Sequence, residues 1–301
     1  NILFLAPLTI GLGKKLKSIA FNMKKNNSPT GNMNVKIYRE STIMQDWTEF
    51  EKVICNSSAN VATPYMLSTT ANNTAWVLRF TVRYNRVWTA NSYVYIGLSN
   101  SDGGYNVAQN FLGTLFRKDS GNNFGVHTVQ NAQPDSVNSQ DQQDNSTSTD
   151  TEYYFEIVRT SATECVVKRY TDRSYSTVAS SSTSTYSSVS ASCTGLDRIK
   201  VFALNASNSE AQVHVTDVMF YNGVTSVSVN GSASATSANV SASGLGGSFA
   251  ETPFAFSGSD IIELKAGDRI VFEGGSHDGT DQIQFENNAR PFLHDVHMAR
   301  Y

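Results

Sequence analysis

Apolar and polar residues alternate along this chain with a period of two. In Trp76-Val77-Leu78-Arg79-Phe80-Thr81-Val82-Arg83-Tyr84, the residues Trp76, Leu78, Phe80, Val82 and Tyr84 fall on one side of an extended backbone, with Arg79, Thr81 and Arg83 on the other. Side chains of a strand point alternately to opposite faces, so this segment reads as a strand with one face in a core and one in water. Runs of the same kind recur at 35–38, 93–98, 153–159, 166–170, 199–204, 213–221 and 269–273. Helical spacing is almost absent, and Gly, Asn, Ser and Asp fill the connections. Parallel sheets need crossover helices, so the expected class is all-β: antiparallel β-sandwiches with no helix longer than two or three turns. Two segments read as loops: 131–151, long and exposed or partly disordered, and the Ser-rich 180–192, whose β-branched residues and Tyr186 would still allow an edge strand.

With 301 residues the chain has room for two ordinary domains or one large sandwich. Charged residues are 16% of the total and the net charge is −3, too little field to attract a polyanion, so nucleic acid is not an expected partner. The apolar start, 1–12, is broken by Pro7 and Gly11 and is shorter than the roughly 18 residues that cross a bilayer, so no membrane span is expected. No basic segment precedes it, which reads as a chain starting inside a strand and not as a signal peptide. Ile2, Leu3, Phe4 and Leu5 would be costly to expose together. They are expected to form a strand, either in their own sandwich or in that of a neighbouring subunit.

Candidate chemistry is sparse. Cys55, Cys165 and Cys193 show no C-x-x-C or C…H spacing, so zinc is not supported. Cys165 and Cys193 border neighbouring alternating segments and are either a disulfide or buried thiols. Glu152 and Glu156 share a strand face but lack a third acid, no G-x-S-x-G elbow occurs, and His294, Asp295 and His297 read as a terminal strand before a metal site. An enzyme is not expected, and no cofactor is required. Calcium is the one ion the turns could serve, through Asp102 in Ser99–Gly104 or through Asp278 and Asp281, although Asp-Gly pairs also simply make tight turns. For stacking on a sugar, Trp88 and Tyr105 are the aromatic residues placed in connections. Sequons start at Asn26, Asn56, Asn72, Asn145, Asn205, Asn230 and Asn239, mostly in polar segments where a glycan would face water.

The blocks "NNTAWVLRFTV", "VYIGLSNSD", "FLGTLFRKDSGNNFGV", "TEYYFEIVRTSATECVVKRYTD" and "LDRIKVFALNAS" through "VTDVMFYNGVTS", in that order over 72–224, resemble concanavalin A-like, laminin G-like lectin modules. That resemblance implies two stacked antiparallel sheets and glycan binding on a sheet face or its rim loops. The flanks "KLKSIAFNMKKNNSPTGNMNVKIYRE" and "SFAETPFAFSGSDIIELKAGDRIVFE" look like successive parts of one jelly roll of the kind found in phage and surface proteins. The expected organisation is therefore an outer sandwich, 1–44 with 224–301, carrying an inserted module, 45–223, with three consecutive small units as the alternative. The function expected is a surface or virion structural and adhesive protein that binds cell-surface or environmental glycans, itself part of an oligomer or larger assembly. A filament or capsid subunit whose β domains serve assembly alone is the rival, and a glycoside-active enzyme is third.

Overall fold

The structure is a computed structural model and describes residues 2–5, 14–39, 42, 44–55, 60–86, 92–102, 110–118, 122–130, 133–134, 142–143, 151–173, 175–205, 211–228, 233–263, 268–276, 282–285, 292–294 and 297–298. Every strand pairing among them is antiparallel, and the only helical elements are the short 3-10 turns Ala242–Gly244 and Gly258–Asp260. Among the described residues no helix is long and apolar enough to cross a membrane. The chain divides into two compact units, Asn1–Ile43 with Ser228–Tyr301, and Met44–Val227.

In the first unit, one sheet runs in the order Ile2–Leu5, Arg269–Ser276, Thr30–Tyr38, Ala235–Thr236. Lys36 and Tyr38 pair with Val271 and Arg269, joining residues more than two hundred positions apart. Ile2–Leu5 pairs with Arg269–Phe272 of its own chain, so the assembly-strand candidate completes its own sheet here. A second sheet brings Ala250–Ala255 and Gln282–Phe285 to the two sides of Ser18–Asn26. The core of this unit centres on Phe21, Phe254 and Phe272, whose rings meet edge to face at 5.5–6.0 Å.

The second unit is a sandwich of two sheets. Its six-stranded sheet has the order Val178–Tyr186, Cys165–Tyr170, Glu152–Arg159, Trp76–Arg86, Ala211–Asn222, Asp46–Cys55. The Ser-rich segment is thus an edge strand. The facing sheet is built on Asn122–Gln130, Phe111–Lys118, Ser92–Ser99 and Arg198–Asn205, with short strands added at its sides. Alternation explains the packing: Trp76, Leu78, Phe80 and Val82 enter the core with Val94, Ile96, Leu98, Phe155 and Ile157. Full burial of each such side chain stabilises by about 1.5–3 kcal/mol.

Two expectations need correction. Arg79 and Thr81, read as facing water, are buried on the outer face of the six-stranded sheet, and only Arg83 is exposed. Arg79 tolerates burial because Glu156, its cross-strand neighbour, carries the opposite charge. Cys165 and Cys193 are both buried as thiols and not joined. The Cys193 thiol points to the Phe111 carbonyl at 3.9 Å, and burial pushes the Cys165 thiol well above its ordinary range.

Candidate functional site

The outer face of the sheet containing Arg198–Asn205 is organised in cross-strand rows. The ladders align Arg198 with Ser99 and Phe111, Lys200 with Gly97 and Gly113, and Phe202 with Tyr95 and Leu115. In the middle row the two glycines face each other so closely that a Cβ on Gly97 would lie 2.5 Å from the Gly113 Cα. Rings from the flanking rows close over this bare backbone. Tyr95 and Phe202 stack at 4.6 Å, and Phe111 meets Phe202 edge to face at 5.2 Å. All three rings are buried, so they shape the face and are not themselves open platforms.

Lys200 lies in the glycine row and donates from Nζ to the Ser101 carbonyl at 2.8 Å. Burial, opposed by Asp102 and aided by Arg198, pushes its ammonium down to about 8. The unfolded chain keeps that proton to about pH 10.5, so between pH 8 and 10 the unfolded state binds more protons than the folded one. Lys200 therefore adds a rise in stability with pH across that window, set against the fall from the Cys165 thiol, which the unfolded chain ionises there and the folded one does not. The slope of melting temperature against pH should be more negative in Lys200→Met than in its parent, and an equal slope in the two proteins would refute the assignment.

At the end of the same strand stands a charged rim. Arg198 donates from Nε and Nη2 to the two carboxylate oxygens of Asp197, at 2.8 and 3.2 Å, and from Nη1 to Asp102. The hydrogen bond to Asp197 leads in holding the guanidinium above its ordinary value; burial opposes it and Asp102 adds to it. The turn bearing Asp102 is fixed from behind. Ser99 Oγ donates to the Asn110 carbonyl at 2.9 Å, Asn110 N–H donates to Asn100 Oδ1 at 2.8 Å, and Asn110 Nδ2 donates to the Thr194 carbonyl at 3.2 Å. Asp102 nonetheless keeps 74% of its side chain open to solvent. It is thus an exposed carboxylate held beside a guanidinium. Such groups suit paired hydroxyls.

Around Asp102 the nearest partner is the Arg198 guanidinium and the Lys200 ammonium stands behind the turn, and among the described residues no group of three or more His, Cys, Asp or Glu could hold a metal. Trp88, Tyr105, Asp278, Asp281, Asn56, Asn145 and Asn230 lie outside the described residues. Asn72 and Asn239 are exposed, and Asn205 ends a strand. Asn72 Oδ1 accepts from Thr74 N–H and Oγ1, both at 2.8 Å, in a tight turn. Sequence reasoning found Asp102 but missed Asp197, Arg198 and Lys200. An Arg-x-Lys pair opening a strand is a visible signal, yet nothing local says which turn it meets.

No family model matches this sequence, and no curated protein does. Solved structures do. The chain is similar to a legume lectin-like domain from Entamoeba histolytica, with 8% identity and a TM-score of 0.41 over 62% of this chain and 89% of that one. The carbohydrate-binding module CBM66 from Bacillus subtilis is similar at 8% identity and a TM-score of 0.39, over 60% of this chain and 97% of that one. The GH43 protein BlXynB from Bacillus licheniformis is similar at 8% identity and a TM-score of 0.40, over 57% of this chain, which spans only 32% of its length.

The glutamates weighed for acid–base work are differently engaged. Glu156 is buried, with Arg79 Nε and Nη2 on Oε2 at 2.8 and 2.7 Å and the Tyr170 hydroxyl donating to Oε1 at 2.9 Å. Glu152 is exposed and accepts from the Tyr154 hydroxyl at 3.0 Å. Both oxygens of Glu156 are occupied by neighbours in the fold, so it stands as a structural ion pair.

Proposed function

We propose that the unit Met44–Val227 is a glycan-binding module that recognises hydroxyl pairs at the Asp102–Arg198–Asp197 rim. The observation that carries this reading is an exposed carboxylate whose direction is fixed by a guanidinium, itself clamped by a second carboxylate. Saccharide recognition needs this rigidity, because a floppy acceptor would lose ordering entropy on every hydroxyl it bound. The resemblance of 72–224 to concanavalin A-like lectin modules supports the same reading. Catalysis is no part of it.

The finer reading is adhesive. The rim meets glycans displayed on a surface, and the chain works outside the cell or on a virion, a setting that agrees with the exposed sequons at Asn72 and Asn239. Asp102→Ala and Arg198→Ala should each weaken binding to immobilised glycans about 10-fold or more, the loss of one or two charge-assisted hydrogen bonds. They should also abolish attachment of the labelled protein to intact cells that carry the preferred glycan. Unchanged glycan binding in both variants would reject the rim as the site. Retained attachment to cells after loss of glycan binding would reject the adhesive role.

A further inference from the structure

Among the described residues three large apolar side chains stay exposed, Met66, Val178 and Phe249, and Met66, at 53%, is the most exposed of them. A single exposed methionine is ordinary on a protein surface, so its position decides what it means. Met66 lies in the two-residue strand Tyr65–Met66, which pairs with Arg198–Ile199 so that Met66 stands opposite Arg198. On its other flank Arg198 stands opposite Ser99, at the end of the strand that leads into the Asp102 turn. Directly opposed residues of an antiparallel pair share a face, with Cβ atoms about 4.5–5.5 Å apart. The rim guanidinium therefore has a thioether on one side and the Asp102 carboxylate on the other.

The backbone on both sides of Met66 is pinned. Leu67 N–H donates to the Asp197 carbonyl at 2.9 Å, and Ser68 N–H and Oγ donate to the two carboxylate oxygens of Asp46 at 2.9 and 3.0 Å. Tyr65 and Leu67 pack against the core, so the alternation of the strand leaves Met66 facing outward. A position that served only as a spacer could hold a polar residue there. The rim instead joins two chemistries at one point. Asp102 and Arg198 suit a hydroxyl pair, and the unbranched, polarizable thioether suits an apolar group a few ångströms away. A sugar hydroxyl pressed against that thioether would lose its water without gaining a partner. A ring that carries a methyl group near its hydroxyl pair meets both demands.

We infer that Met66 is the specificity-determining residue of the rim and selects sugars that bear a methyl group, terminal as in a deoxyhexose or within an N-acetyl group, with that methyl seated on the thioether. The inference rests on the glycan-binding reading of the Asp102 rim. The test is a magnetic-resonance titration of the whole chain, isotope-labelled in its methionine methyl groups, with three matched pairs of sugars. These are L-fucose against L-galactose, L-rhamnose against L-mannose, and N-acetyl-D-glucosamine against D-glucose. The Met66 signal is the one lost in Met66→Gln. At least one methyl-bearing sugar should shift that signal saturably and bind about 4-fold or more tighter than its partner, the worth of one buried methyl group. Which pair shows the preference tells a terminal methyl from an acetyl one. The preference should vanish in Met66→Gln, which keeps the side chain's length and, at an exposed position, should melt with its parent. Binding should weaken about 10-fold or more in Asp102→Ala. Equal affinities within all three pairs, a preference that survives in Met66→Gln, or a melting temperature lowered by several degrees in that variant would overturn the inference and leave the rim reading standing. No binding by any of the six sugars would overturn the inference alone. Binding that Asp102→Ala leaves unchanged would overturn both.

Discussion

Glu156→Ala should destabilise the Met44–Val227 unit by about 3–5 kcal/mol, because it leaves the Arg79 guanidinium buried without its counter-charge. Only 3% of the Arg79 side chain and 5% of the Glu156 side chain reach solvent. Burial works against the Arg79 charge, yet Glu156, with smaller help from Tyr221 and Tyr175, more than offsets it and holds the guanidinium above its ordinary value. Losing the carboxylate also strands the Tyr170 hydroxyl. Urea denaturation should show the loss as a lower midpoint at unchanged slope. Replacing Arg79 and Glu156 together by leucine should recover most of the stability, since an apolar pair of similar volume costs no charge desolvation. A single-variant loss below about 1 kcal/mol would show that water reaches the pair and that the outer face is open.

The second large effect is expected at the glycine row. A Cβ on Gly113 would stand 2.3 Å from the Ile96 carbonyl oxygen and 2.7 Å from the Gly97 Cα, and one on Gly97 would stand 2.5 Å from both the Gly113 Cα and the Leu112 carbonyl oxygen. Backbone in the middle of a sheet cannot move aside as a flexible side chain can. Gly113→Ala or Gly97→Ala should therefore cost about 3 kcal/mol or more, at the upper end of overpacking effects, and lower the melting temperature by roughly 6 °C or more. Gly247→Ala is the control: nothing lies within 4 Å of its Cβ position, so its melting temperature should hardly change. Equal melting temperatures for all three variants would show that the two strands are not pinched together as described.

The difference between these two sites also explains what could be read from the sequence. Period-two alternation identified the core face of Trp76–Arg86 because apolar residues on a strand have one physical reason to align. The same pattern misassigned Arg79 and Thr81 to water, since a lone strand does not reveal that Glu156 stands beside it or that Tyr175 and Val227 cover it. The Ser-rich segment read as a loop that could admit an edge strand, and its β-branched residues do place it in the edge strand Val178–Tyr186; the pairing of Lys36 with Val271 was legible from two halves of one recognisable pattern. Within the candidate site, Asp102 was visible as an oxygen-rich turn. Its partner Arg198 lies 96 residues away and reaches it only through the ladder that aligns Arg198 with Ser99. Long-range register is what local sequence does not encode.

The most direct measurement is the position of a bound saccharide in a crystal of the whole chain grown with the glycan that ranks first in array binding. Sugar hydroxyls should lie within hydrogen-bond reach of the Asp102 carboxylate and the Arg198 guanidinium, with Asp197 still clamping Arg198. A saccharide bound elsewhere with this rim untouched, or no saccharide bound at concentrations well above the measured Kd, would contradict a glycan-binding rim at Asp102.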